Sequence, residues 1–103
     1  MKFLSIKELV YEYVSTIPKG HVVSYGFIAK KLHLGSPRLV GKALHENPDP
    51  NHIPCHRVIY ADGRLSKNFA FGGEKAQKEK LTSEGIRFKN NTRILPEYFL
   101  PGT

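Results

Sequence analysis

The sequence predicts a single domain, mainly α with small β elements, of winged helix-turn-helix type. Three observations carry that expectation. A chain of 103 residues with 40% hydrophobic and 24% charged residues is one ordinary globular domain, with a modest core and no disordered composition. Three segments of helical period each open on a serine and close at proline or glycine, which is helix punctuation. Two of these helices are short, joined by a Gly-containing turn, and the second carries basic residues near its start. That last pattern fits a helix-turn-helix and equally a plain helical hairpin.

The first helix starts at Ser5-Ile6-Lys7-Glu8, a capping box in which Ser5 and Glu8 satisfy each other's free amides. Ile6, Leu9, Val10, Tyr13, Val14 and Ile17 fall on one stripe behind it, and Pro18-Lys19-Gly20 ends it. His21-Val22-Val23 reads as a short extended piece. Ser24 caps a helix over Tyr25 to Leu32, and His33-Leu34-Gly35 makes the turn. Ser36-Pro37 places an N-cap before a proline at N1, opening a third helix that stops at Asn47-Pro48-Asp49-Pro50. Val58-Ile59-Tyr60 and Arg64-Leu65 around Ala61-Asp62-Gly63 predict a hairpin. A loop from Lys67 to Gly73, including Asn68, leads to a fourth helix over about Glu74–Glu84 with Gly85 at C′. Ile86-Arg87-Phe88 and Thr92-Arg93-Ile94 around Asn90-Asn91 predict a small terminal hairpin. Residues 86–103 as a whole read as a C-terminal tail on a 1–103 domain.

The formal charge is +7, and it is spread out: residues 1–60 hold eight basic and four acidic groups, residues 61–103 eight and five. A basic surface without a polybasic block points to nucleic acid ahead of membrane, although basic domains that bind neither exist. No apolar run reaches the ~18 residues that span a bilayer. The Met1-Lys2 start is interrupted by Lys7 and Glu8 and lacks a signal-peptide core. One cysteine makes no internal disulfide and no multi-cysteine zinc site, which fits a reducing, cytoplasmic setting.

That cysteine stands in Ile53-Pro54-Cys55-His56-Arg57. A lone buried cysteine is most often inert packing, but a neighbouring imidazole or guanidinium favours the reactive thiolate. Adjacency alone does not bring Cys55 and His56 together, because successive extended side chains point apart; a relay through water or a bent backbone is required. The five histidines, at 21, 33, 45, 52 and 56, match no zinc template, so no metal is expected.

These residues together resemble the alkylguanine-DNA alkyltransferases, also called methylated-DNA–protein-cysteine methyltransferases. Residues 17–29, from Ile17-Pro18-Lys19-Gly20 to Ala29, resemble the entry to their helix-turn-helix. Arg38-Leu39-Val40-Gly41-Lys42-Ala43-Leu44 with Asn47-Pro48 resembles their recognition helix and hinge, and Ile53-Pro54-Cys55-His56-Arg57-Val58 their active-site signature. The matches run in family order across roughly residues 3–88. The resemblance implies that Cys55 accepts the alkyl group from the 6-oxygen of guanine as a permanent thioether, that His56 deprotonates it through a water, and that Glu84 orients His56. It implies that Tyr25 donates to the leaving guanine and crowds the target phosphate, that Arg38 fills the stack where the base has flipped, and that Asn47 ties the helix-turn-helix to the active-site loop. Ser36, Gly41, Lys42 and Arg57 would join Arg38 and Tyr25 on double-stranded DNA. Val58, Pro50, Phe71 and Gly72 would line the substrate pocket, with the Cys55 and Val58 carbonyls accepting from the guanine amine. No cofactor is implied, because the substrate brings the alkyl group. The protein would act as a monomer, associated with the nucleoid, or in the nucleus of a eukaryote.

The sequence also departs from that pattern. It begins almost at the DNA-binding domain, without the N-terminal ribonuclease-H-like domain of longer members, and it continues past Gly85. That layout resembles the alkyltransferase-like proteins, which bind alkylguanine without transfer and flag it for excision-repair proteins. Those typically carry Trp or Ala where Cys55 stands. The Lys67–Gly73 loop lacks the usual lid tyrosine but keeps Gly72-Gly73. Two expectations follow: a stoichiometric transferase acting through Cys55, and a non-catalytic lesion sensor in which Cys55 is a passive wall.

Overall fold

A computed structural model describes residues 4–67 and 69–103; Met1, Lys2 and Phe3, and Asn68 of the Lys67–Gly73 loop, lie outside the described residues. The elements run α1 (Ile6–Val14), β1 (Val23–Ser24), α2 (Tyr25–Lys31), α3 (Pro37–His45), a one-turn 3-10 helix (Cys55–Arg57), β2 (Val58–Ile59), α4 (Gly73–Ser83), β3 (Phe88–Lys89), β4 (Arg93–Ile94) and a last 3-10 turn (Pro96–Tyr98). Four helices with a few two-residue strands make the expected mainly α domain.

Cap chemistry sets the helix starts. Ser5 Oγ accepts from Glu8 N at 3.1 Å while Glu8 returns a carboxylate oxygen to Ser5 N, a complete capping box. Ser24 Oγ accepts from Phe27 N and Ser36 Oγ from Arg38 N, each at 3.1 Å. In α1 the buried positions are Val10 and Val14, followed by Ile17 beyond the helix; Ile6, expected inward, is 43% exposed because the first turn extends past the core. Tyr11 works across the bundle instead, donating its hydroxyl to Ala43 O at 2.7 Å and pinning α1 to α3. The turn between α2 and α3 places His33, not Gly35, in the left-handed region (φ 56°), with Leu34 N closing on Ala29 O at 2.8 Å. α4 ends in a Schellman arrangement: Ile86 N donates to Leu81 O, Gly85 N to Thr82 O, and Gly85 takes φ 89°.

The Val58–Tyr60 segment corrects one expectation. Tyr60 N does close on Arg64 O, and Gly63 N on Tyr60 O, so the predicted turn exists. Arg64-Leu65 forms no ladder strand, however, and β2 pairs in parallel with β1, Val23 opposite Val58 and Ser24 opposite Ile59. The reason is burial on both faces, which suits parallel pairing. Val23 and Val58 enter a core with Val10, Val14, Ile28, Val40 and Leu44. Val22 and Ile59 enter a second core with Leu65, Leu81, Ile86 and Ile94. Successive side chains point to opposite faces, so this two-residue ladder is the wall between two cores.

Residues beyond Gly85 pack onto the second core. β3 and β4 form the predicted antiparallel hairpin, with Asn90 and Asn91 at φ 51° and 59° as its turn requires. Val22 N donates to Tyr98 O and Leu100 N to Val22 O, both at 2.9 Å, laying the chain end beside β1.

Candidate functional site

The start of α2, the start of α3, the Cys55–Arg57 turn and the loop after β2 enclose a cleft of about 960 Å³. Tyr25, Arg38, Gly41 and Cys55, four residues singled out from the sequence, line it together, with Tyr60 and Phe69 added by the fold. Tyr25 is the first residue of α2, so its ring is delivered to the cleft by the Ser24 cap; it lies tilted against Tyr60 at 5.3 Å. Burial pushes its phenol up to about 12 against the pull of a Ser66 hydrogen bond, so it is a donor at neutral pH. Arg38 is exposed in the first turn of α3, and among the described residues no side chain holds its guanidinium. Lys42 is exposed one helical turn further on. Ser36 accepts from Arg38 N as the helix cap, which fixes that first turn.

Cys55 is a free thiol, 4% exposed. Burial pushes it above its ordinary value, opposed by the Asn47 side-chain amide and the Lys80 charge. Asn47 donates Nδ2 to Ile53 O at 2.8 Å and accepts from Asp49 N at 2.9 Å, so the end of α3 is tied to the segment entering the Cys55 turn.

His56 is 7% exposed, and its Nε2 lies 2.9 Å from Glu84 Oε2. Burial raises the Glu84 carboxyl, but hydrogen bonds from Arg57 and His56 and their charges outweigh it and leave the group below its ordinary value. An ionised carboxylate only accepts, so His56 Nε2 carries the proton and Nδ1 is left a bare acceptor. Nδ1 is buried without a hydrogen-bond partner. Burial lowers the His56 imidazole despite Glu84, keeping it neutral and basic at Nδ1. His56 and Glu84 line a second cleft of about 300 Å³ with Pro50, Arg57 and Lys80. The 3-10 turn rotates the two side chains apart, so that Cys55 lines the first cleft and His56 the second.

Five expected residues sit elsewhere. Arg57, expected on DNA, spends its guanidinium inside: Nε and a terminal nitrogen donate to the two Glu84 oxygens at 3.0 and 2.7 Å, and the other to Ile17 O at 2.8 Å. Val58 is wholly buried in the first core, and Pro50 lines the second cleft rather than the first. Phe71 packs edge-on to Phe69 at 5.8 Å, and Gly72 is the exposed N-cap of α4. The two carbonyls each hold one bond already: Val58 N donates to Cys55 O, and Gln77 Nε2 to Val58 O.

Gln77 is the residue that the sequence did not announce. It is wholly buried, and its Nε2 donates to His56 O at 3.1 Å and Val58 O at 3.2 Å. Its spacing held a signal: Gln77, Leu81 and Glu84 lie at i, i+4 and i+7, one face of α4. Lys80 sits over the Phe69 and Phe71 rings, at 5.8 and 6.0 Å, from the same helix. Among the described residues, no group of three or more His, Cys, Asp or Glu is placed to hold a metal ion.

Comparison with known proteins places this geometry in a family. The family model described as 6-O-methylguanine DNA methyltransferase, DNA binding domain, matches residues 5–86. Alkyltransferase-like protein 1 of Schizosaccharomyces pombe is 39% identical over 97 residues, covering 86% of this chain and 88% of that protein. A methylated-DNA–protein-cysteine methyltransferase of Methanothermobacter thermautotrophicus is 43% identical over 77 residues, covering 75% of this chain but only 42% of its own length. The crystal structure of S. pombe Atl1 in complex with damaged DNA containing O6-carboxymethylguanine superposes with a TM-score of 0.79 at 34% identity, covering 97% of this chain and 98% of that one. The chain belongs to the 6-O-methylguanine DNA methyltransferase family, through that family's DNA-binding domain.

Proposed function

We propose that this protein binds duplex DNA carrying alkylated guanine, turns the damaged base out into the Tyr25–Cys55 cleft, and moves the alkyl group from the guanine 6-oxygen to Cys55 Sγ. One observation carries the reading: Cys55 lines the cleft, and the next residue is a neutral, buried histidine whose Nε2 is fixed on Glu84 and whose Nδ1 is free to take a proton. The DNA face is the exposed start of α3, where Arg38 lines the cleft and Lys42 is exposed one turn further on. The O6-carboxymethylguanine DNA bound by the S. pombe relative supports the lesion class. Extruding a base costs a few kcal/mol, least for an already weakened pair, and an inserted arginine refills the gap.

In the transfer, the Sγ–H proton passes to His56 Nδ1 through a water, leaving a thiolate and an imidazolium paired with Glu84. The thiolate attacks the alkyl carbon, the S–C bond forms, and the C–O bond breaks with its electron pair passing to guanine. Tyr25 supplies a hydrogen bond or proton to that departing charge. The product thioether does not hydrolyse, so each molecule acts once.

A second reading has its own support. Burial holds the Cys55 thiol protonated at rest, and the match to Alkyltransferase-like protein 1 runs along nearly all of both chains. Under it the same cleft binds the lesion without transfer and presents it to excision-repair proteins. Mass spectrometry after incubation with O6-methylguanine DNA separates the two. One added methyl on the Cys55 peptide, absent from Cys55→Ala, is the expected result; tight lesion binding with unmodified Cys55 overturns the transfer in favour of the sensor.

A further inference from the structure

We propose that Gln77 is a positioning residue for the Cys55–His56 turn, holding its exit as Asn47 holds its entry. The turn is a single 3-10 coil whose N-cap, Pro54, offers no side-chain hydrogen bond. Its geometry therefore depends on outside partners. Upstream, Asn47 Nδ2 takes Ile53 O at 2.8 Å. Downstream, Gln77 Nε2 takes His56 O and Val58 O at 3.1 and 3.2 Å, bracketing the carbonyl side of the turn with one amide group. Gln77 is wholly inaccessible and Asn47 is 6% exposed, so neither bond competes with solvent. A buried polar side chain without full satisfaction is costly, and Gln77 Oε1 has no partner. A leucine there would serve packing better; a donor is what the site needs.

The placement along α4 gives this bond its consequence. Glu84 lies two turns beyond Gln77 on the same face and grips His56 by its ring, while Gln77 grips the same residue by its backbone. Two contacts from one rigid helix fix both the position of His56 and the direction of its Nδ1. Loss of the backbone contact leaves the ring on Glu84 but frees the turn to shift relative to it. A misplacement of about 1 Å in a proton-transfer pair costs roughly 10²-fold in rate.

This inference rests on the transfer reading for its main assay, and a second assay keeps the two separable. Gln77→Met conserves volume and removes the donor; Gln77→Glu conserves shape and has an O–H to donate only when protonated. The expected result is a rate of Cys55 methylation at saturating O6-methylguanine DNA that falls at least tenfold in both, with Kd for that DNA within twofold of the parent. For Gln77→Glu, the ratio of parent to variant rate narrows as pH falls and the carboxyl acquires its proton. If the parent gains no methyl group, the transfer reading fails by itself. The positioning role is then read from iodoacetamide modification of Cys55, the chain's one cysteine, expected to slow at least fivefold in both variants. Unchanged rates, or rate and Kd shifting together, overturn the proposal. A fold lost in both variants also overturns it, because the bonds would then hold the domain rather than the turn.

Discussion

Replacing Glu84 by Gln tests stability and chemistry at one atom pair. Glu84 receives three hydrogen bonds: from Arg57 at 3.0 and 2.7 Å and from His56 at 2.9 Å. Its side chain is 10% exposed and that of Arg57 16%, so the fork is largely shielded from water. Removing one member of a buried pair costs ~3–5 kcal/mol, mostly the penalty of the stranded partner. Gln keeps one acceptor oxygen, and Arg57 keeps Ile17 O at 2.8 Å, which brings the expected loss to about 2–3 kcal/mol. For a domain of this size that lowers Tm by roughly 10–15 °C.

The pH dependence is the sharper readout. Glu84 lies below its ordinary 4.5 in the folded state, so its stabilisation is complete above that value and is lost as pH falls through the lower, folded one. His56 lies below its ordinary 6.5, so the unfolded chain takes up that proton first and stability already declines as pH falls from 6.5. Glu84→Gln removes the lower of these two losses and keeps the upper one. Urea denaturation of parent and variant between pH 3 and 8 measures both. The expected curves are separated above pH 5 and converge below 4.5. Under the proposed transfer, Cys55 methylation should fall by about 10²-fold, since His56 loses its orienting carboxylate. Parallel stability curves below pH 4.5, or a Tm within 3 °C of the parent, would refute the fork as an acid-sensitive clamp.

Two further outcomes are expected. Arg38→Ala leaves Tm within ~2 °C, because the side chain is exposed and unheld, yet weakens binding to O6-methylguanine DNA and reduces the slope of log affinity against log salt by about one; equal affinity and slope in isothermal titration would remove Arg38 from the DNA face. Gly63→Ala costs about 2 kcal/mol, because Gly63 sits at φ +91° and an added Cβ would meet Ile94 O at 2.7 Å; an unchanged urea midpoint would contradict that close approach.

What the sequence made legible is what local chemistry decides. The serine caps, Gly85 and the Asn90-Asn91 turn each act within a few residues, and each stands where the spacing predicts. The β1–β2 pairing was not legible, since a two-residue strand carries no period and its partner lies 35 positions away in register, Val23 to Val58. Arg57, which the resemblance sets on DNA, is held inside for a related reason: Glu84 and Ile17 are brought to it from 27 and 40 positions away. At the site, a family pattern singles out Tyr25, Arg38 and Cys55, which the fold brings to one cleft, whereas Gln77 shows in the sequence only as part of a helical face with Leu81 and Glu84. Its two bonds, from one amide to the His56 and Val58 carbonyls, exist only across the fold.

The two cores explain how one short turn faces two clefts. β2 follows the turn immediately and alternates Val58 into the first core and Ile59 into the second, so the turn stands on the wall between them. Residues one apart in a 3-10 coil are rotated by roughly 120°, and Cys55 and His56 accordingly line different clefts. The thiol belongs to the side built by α2 and α3, where Tyr25 and Arg38 stand. His56 belongs to the side built by α4, whose Leu81 anchors the second core and whose Gln77 and Glu84 hold it at backbone and ring. Binding a lesion calls on the first side alone. The transfer proposed for Cys55 would call on both, with a proton crossing the turn. Glu84→Gln and the Gln77 variants perturb the second side and leave Tyr25 and Arg38 in place, so lesion affinity and Cys55 methylation report on the two sides separately.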